Sequence, residues 1–189
     1  MALEKKAFLY FQTGDYEQSI RLANQGIALS REQSLPDYEA LLLIQRAQAQ
    51  AELNRIDEGE ADVTQAIQIL NKNELVNYLP NAYSVLANVL SRRKQYEPAI
   101  SHYKKAVELN LTQNNNVQAA RDLHDLGFLY DMELNDFKKS TSHYKEALKV
   151  IETLHDPYML ATTYNNLGQA CWRHGNFKSS LEYYQKGLM

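Results

Sequence analysis

Residues 164–188, YNNLGQACWRHGNFKSSLEYYQKGL, decide the fold, because four earlier segments fall into register with them. The aromatic residue after the polar turn, Phe177, has counterparts in Phe137, Tyr96, Ile56 and Tyr16, at steps of 40, 41, 40 and 40 residues. Three residues further on a small side chain recurs: Ser180, Ser140, Ala99, Gly59 and Ser19. Seven beyond that stand Gly187, Ala147, Ala106, Ala66 and Gly26, each followed by Leu188, Leu148, Val107, Ile67 or Ile27. Upstream of the turn runs a second small column, Gly168, Gly127, Ala87, Ala47 and Ala7. A period in this range marks a solenoid, whose units bury their apolar faces against their neighbours.

Each unit reads as two helices. In the third, Tyr83, Leu86, Ala87 and Leu90 share one helical side, a turn follows at Lys94-Gln95, and Ala99, Ile100, Tyr103, Ala106 and Val107 form the inner stripe of the next helix. The fold class is therefore all-α, a right-handed α-α superhelix of five helix-turn-helix repeats over residues 1–35, 36–75, 76–115, 116–156 and 157–189, a single solenoid. The expected helices are 2–13, 16–33, 37–54, 57–72, 78–94, 96–113, 117–134, 136–155, 157–174 and 177–188.

Proline and polar residues punctuate this pattern. Asp156-Pro157 starts a helix, the carboxylate capping free N–H groups and the proline sitting where its missing donor costs nothing. Pro36 and Pro80 open equivalent helices, and Pro98 lies in a first turn, where proline is tolerated. The one extra residue falls between Tyr130 and Phe137, where it lengthens the turn or bulges the helix; a longer turn is the plainer expectation.

This pattern resembles the tetratricopeptide repeat family. The fifth unit carries it best, through Tyr164-Asn165-Asn166-Leu167-Gly168, Gly175-Asn176-Phe177, Tyr184 and Gly187-Leu188, and Leu86-Ala87 and Leu126-Gly127 extend it upstream. The first two units depart from it, with Lys6 and Arg46 where later units have Leu86, Leu126 and Leu167. The usual unit has about thirty-four residues, so forty implies longer helices. Longer repeats of this kind are similar to those of bacterial peptide-receptor regulators and motor-protein light chains. Both terminal helices read as cut short, which makes a fragment of a longer protein the expectation.

Composition narrows the partners. The chain has 189 residues, 44% of them hydrophobic, a net charge of −3 and a pI near 6.0. No global basic field favours nucleic acid, and no apolar run reaches the roughly eighteen residues of a membrane span. The opening MALEKKAFLYFQTGD lacks the apolar block of a signal peptide, and a single Cys171 excludes an internal disulfide, so a cytoplasmic protein is expected.

No catalytic or cofactor constellation emerges from the residues. The seven glycines all have places in turns or small columns, leaving none for a phosphate-cradling loop. Cys171 shares the column of Tyr10, Leu90 and Tyr130, which reads as a buried thiol. His102 and His143 recur before Tyr103 and Tyr144, while His155 and His174 lie near helix ends, without metal-site spacing. The thirteen tyrosines recur largely at core columns, so packing explains them better than base stacking. No enzyme activity, metal or cofactor is expected.

A polar stripe remains on the first helix of each unit, at i, i+4, i+7 and i+11. It reads Leu41, Gln45, Gln48, Glu52; then Asn81, Val85, Asn88, Arg92; then Arg121, Asp125, Phe128, Met132; then Thr162, Asn166, Gln169, Arg173. The candidate binding residues are Gln45, Gln48, Asn81, Asn88, Arg92, Arg121, Asp125, Asn166, Gln169 and Arg173. Amides both donate to and accept from a peptide backbone, and arginines take carboxylates in bidentate fashion. The resemblance implies that this concave wall holds a peptide or a partner helix. The family's carboxylate clamp, which grips chaperone tails, is not expected: Asn88 and Asn166 are kept, but Ser84, Asp125 and Thr162 occupy other clamp places, and Asp125 repels a terminal carboxylate. A non-catalytic interaction module is the leading reading, and a peptide-gated regulatory domain of a bacterial signalling or transcription-regulating protein the alternative. Leu181, Tyr184, Leu188 and Met189 on the last helix further suggest weak self-association.

Overall fold

Seventeen-residue helices joined by three-residue turns account for the forty-residue period. The computed structural model describes residues 2–154 and 156–188. The helices of these residues are α1 (Ala2–Gln12), α2 (Tyr16–Glu32), α3 (Pro36–Glu52), α4 (Ile56–Lys72), α5 (Leu79–Arg92), α6 (Tyr96–Thr112), α7 (Asn116–Met132), α8 (Phe137–Glu152), α9 (Pro157–Arg173) and α10 (Phe177–Gly187). No strand occurs among them. Met189 and His155, both named from the sequence, lie outside the described residues.

The turns share one backbone solution. After α1 to α6 and after α9, the residue following the turn donates its N–H five positions back, as in Leu35 to Ser30, Arg55 to Gln50, Gln95 to Leu90 and Asn115 to Asn110, which satisfies the carbonyls a helix end leaves free. That closure needs one residue at positive φ, supplied by Gly14, Ser34, Asn54, Glu74, Lys94, Asn114, Asn135 and Gly175. In the fourth repeat Asp136 N–H instead reaches six positions back to Tyr130 O, while α7 keeps seventeen residues. The extra residue therefore lengthens the turn, and the helix carries no bulge. Asp15, Asp136, Asp156 and Asn176 cap the helices that follow them with side-chain oxygens.

Most helix ends fall one or two residues from expectation, and the end of α8 falls three residues short of it. The helix expected from residue 78 is preceded by a single 3-10 turn, Val76–Tyr78, and α5 begins at Leu79 with Pro80 inside its first turn. The helices expected to reach 134 and 155 end at Met132 and Glu152, because the turn bonds take over the last carbonyls.

The chain divides into two compact units, residues 1–102 and 103–189. In the first, α1 to α5 pack successively, and the first helices adjoin one another, α1 beside α3 and α3 beside α5. Its buried core includes Leu43, Ile44, Val63, Leu70, Leu86 and Val89. Arg46, the departure from the leucine column, is accommodated by ion-pairing through two nitrogens with the largely buried Asp62 of α4, at 2.5 and 2.6 Å, and by bonding Asn24 of α2.

In the second unit α7 to α10 pack in the same order, and α7 adjoins α9. Ala120, Leu123, Ala147 and Ile151 form one buried cluster, and Tyr144, Leu148, Leu167 and Ala170 another. Gly127 lets the Tyr144 ring lie directly on the α7 backbone, since an added Cβ would stand 2.7 Å from that ring.

Candidate functional site

The polar stripe maps onto helix faces that differ sharply in how much of their polarity is already used. In the first unit Gln45 is buried, 7% exposed, with its Oε1 unpartnered, and Gln48 is half-buried. Asn81 and Asn88 are exposed. Arg92 donates to Asn88 Oδ1 and Ala51 O, both at 3.1 Å, and pairs with Glu52 at 2.5 Å. It therefore ties α5 to the last turn of α3, a position that also places positive charge on the negative end of the helix dipole.

Arg173 plays the same part in the second unit. It pairs with Asp131 of α7, whose carboxylate has no exposed side-chain surface. Gln169 is half-buried on α9. Asn166 contacts His124 Nε2 through its amide nitrogen. The other ring nitrogen, Nδ1, lies 3.5 Å from Asp125 Oδ1. His124 also tilts against the Tyr144 ring at 5.4 Å. Burial first, then the Asp131 charge, pushes the Tyr144 phenol well above its ordinary range, so it stays neutral.

Arg121 differs from its counterparts. It is exposed and makes no ion pair among the described residues, as is also true of Arg21 on α2, whereas its stripe counterparts Arg92 and Arg173 both do. With Asp125 it lines a cleft of about 310 Å³ between α7 and the start of α9, closed by His124, Tyr158 and Thr162. That volume lies at the lower end of ordinary ligand sites. Larger hollows of about 410 and 350 Å³, beside Arg93 and between α1, α2 and α3, are lined by no residue of the stripe.

The structure thus brings Arg121 and Asp125 into one cleft, joins Asn166 to its edge through His124, and groups Asn88 with Arg92. It does not bring Gln45 to the surface. Sequence reasoning missed His124, Asp131 and Tyr158. His124 has no counterpart histidine in the other repeats, and its partner Asn166 is 42 residues away, so no local signal pointed to it. Cys171 is buried, and desolvation raises its thiol pKa, which keeps it in the unreactive protonated form at neutral pH. No helix among the described residues is long and apolar enough to cross a membrane.

A family model described as tetratricopeptide repeat matches residues 78–153 and 123–188. Heat shock protein STI1 of Saccharomyces cerevisiae is 28% identical over 104 residues, covering 53% of this chain and 16% of the yeast protein. The chain therefore spans about a sixth of that relative's length. A signal transduction ATPase with numerous domains and a tetratricopeptide repeat sensor, from Pyrococcus horikoshii, superimposes with a TM-score of 0.87 at 18% identity over 98% of this chain and 28% of that one. BtubC from P. vanneervenii gives 0.81 at 23% identity over 96% and 75%. At these identities the structures share the fold.

Proposed function

Since the chain belongs to the tetratricopeptide repeat family, we propose that it is a non-catalytic interaction module that holds an extended peptide or a partner helix against its first helices. The observation that carries this reading is the α7–α9 cleft, where Arg121 keeps an exposed guanidinium with no ion pair among the described residues. Repeats of this family serve generally as interaction scaffolds, and the exposed Phe128 and Met132 further along α7 offer apolar contact beside the charged groups. The test is a peptide selected from a random display library on the 189-residue chain. Alanine at the exposed cleft positions Arg121 and Asp125 should weaken its binding, each charge-assisted contact costing about 1.5–3 kcal/mol. Unchanged affinity in the double variant rejects the α7–α9 face as the binding surface.

A second reading, a peptide-gated regulatory domain, is favoured by the ties between adjoining first helices. Arg92 links α5 to α3, and Arg173 and Asn166 link α9 to α7, on the same stripe a ligand would cover. A ligand that competes for these groups alters the packing of one repeat on the next, which is the differential contact a switch requires. The archaeal protein's tetratricopeptide sensor supports this by analogy of fold alone. Peptide binding that leaves Arg173→Lys and wild type equally stable and equally liganded opposes it.

A further inference from the structure

Most polar side chains that line the α7–α9 cleft are already engaged. Asp156 accepts from the Tyr158 and Met159 N–H groups as a helix cap. Thr162 and Thr163 donate to the carbonyls of Tyr158 and Met159, at 2.9 and 2.8 Å. Gln118 reaches Asp122 at 3.5 Å, and His124 is held by Asn166. Beside the capping carboxylate of Asp156, two full charges on α7 face the cleft, the Arg121 guanidinium and the Asp125 carboxylate, the latter half-exposed with its neighbour His124 no closer than 3.5 Å. They do not pair with each other, in keeping with the less favourable order of a cation N-terminal to an anion at i, i+4.

Their spacing selects a ligand. Four helical residues rise about 6 Å, so the two side chains leave α7 about 6 Å apart along its axis. Two residues of an extended chain advance about 6.6 Å and place both side chains on the same side. We infer that this cleft recognises an extended peptide bearing an acidic and a basic side chain two residues apart, the carboxylate on Arg121 and the cation on Asp125. The inference rests on the reading of the first-helix wall as a peptide site and adds the charge pattern that the site selects. Arg121 supplies a planar fork for bidentate contact with the carboxylate. Asp125, which argues against a bare terminal carboxylate, becomes in this arrangement the acceptor for the neighbouring cation. The opposed charges also reject ligands with two like charges at this spacing, since one of them would face its own sign.

The experiment selects binders from a random extended-peptide display library on three proteins: the 189-residue chain, Arg121→Glu and Asp125→Arg. Both positions are exposed, and circular dichroism verifies that the variants keep their helices. Wild type should enrich acidic-x-basic or basic-x-acidic sequences, either chain direction serving. Arg121→Glu should enrich basic-x-basic, and Asp125→Arg acidic-x-acidic. A peptide selected on wild type should lose about tenfold or more in affinity on either variant at low salt, and the loss should shrink as salt is added. Peptides that bind the first helices but show the same charge pattern on all three proteins overturn this inference and leave the interaction module standing. An absence of any peptide that binds the first helices overturns both.

Discussion

The Arg173 guanidinium at the end of α9 donates to Asp131 at the end of α7, a carboxylate with no exposed side-chain surface. Its other oxygen has no hydrogen-bond partner, and His174 Nε2 lies 3.7 Å away. Removing the arginine leaves a buried charge without its counter-ion. Arg173→Ala should destabilise the chain by about 2–4 kcal/mol, moderated by water reaching the half-exposed arginine site. Asp131→Asn should cost less, because no charge is stranded. Urea midpoints measure both, and an Arg173→Ala midpoint equal to wild type contradicts the assignment.

Gly127 and Gly168 occupy the same column but should respond differently to alanine. A Cβ would stand 2.7 Å from the Tyr144 ring at Gly127 and 2.8 Å from the Tyr184 ring at Gly168. Tyr144 is 1% exposed and has nowhere to go, whereas Tyr184 is half-buried and free to swing outward. Alanine gains about 1 kcal/mol over glycine inside a helix, and overpacking costs about 1–3. Gly127→Ala should therefore lower the melting temperature, while Gly168→Ala leaves it near that of wild type.

Two histidines make the fold sensitive to mild acid. Burial lowers the pKa of His102 and His143 below their usual 6.5; for His143 Glu146 opposes the shift and Lys104 adds to it. His102 stacks on Tyr83 and His143 on Tyr130, at 5.7 and 5.4 Å between ring centres. Because the unfolded chain takes up these protons first, stability is full above about pH 6.5 and falls as the pH drops from there towards the folded values. His102→Gln and His143→Gln should each flatten the difference in urea midpoint between about pH 7.5 and pH 5.5. Parallel wild-type and variant curves refute the cause.

Trp172, Leu181 and Leu188 expose 61%, 60% and 88% of their surfaces. Leu148, the counterpart of Leu188, is buried in a cluster with Leu167 and Ala170 of α9. Apolar surface of this kind tends to find a partner. Sedimentation over a concentration series should show weak self-association that Leu181→Glu with Leu188→Glu abolishes. A strict monomer at high concentration contradicts it.

The fold was legible because a solenoid writes its packing into periodic columns. The small residue at 127 or 168, the turn before 137 or 177 and the cap at Asp156 are local signals, and local bonds fix them. The stripe was legible as a face, but not how its charges are spent. Arg92, Arg121 and Arg173 look alike in sequence. Two of them meet carbonyl or carboxylate oxygens of the preceding first helix, about forty residues back, and the third does not. That contrast depends on what the neighbouring helix presents: Asp131 offers a carboxylate to Arg173, and nothing in the local pattern reports it. Arg46 and Asp62 show the same limit, since a charged residue in a leucine column is explained only by its distant partner.

The account stands most directly on where a ligand lands. Amide chemical shifts of the chain should be recorded before and after saturation with the charged peptide selected on wild type. The account predicts that the largest changes cluster in α7 around residues 118–125 and in α9 around 158–163, with α8 and α10 little affected. Changes concentrated on α8 and α10, with α7 and α9 silent, would contradict it.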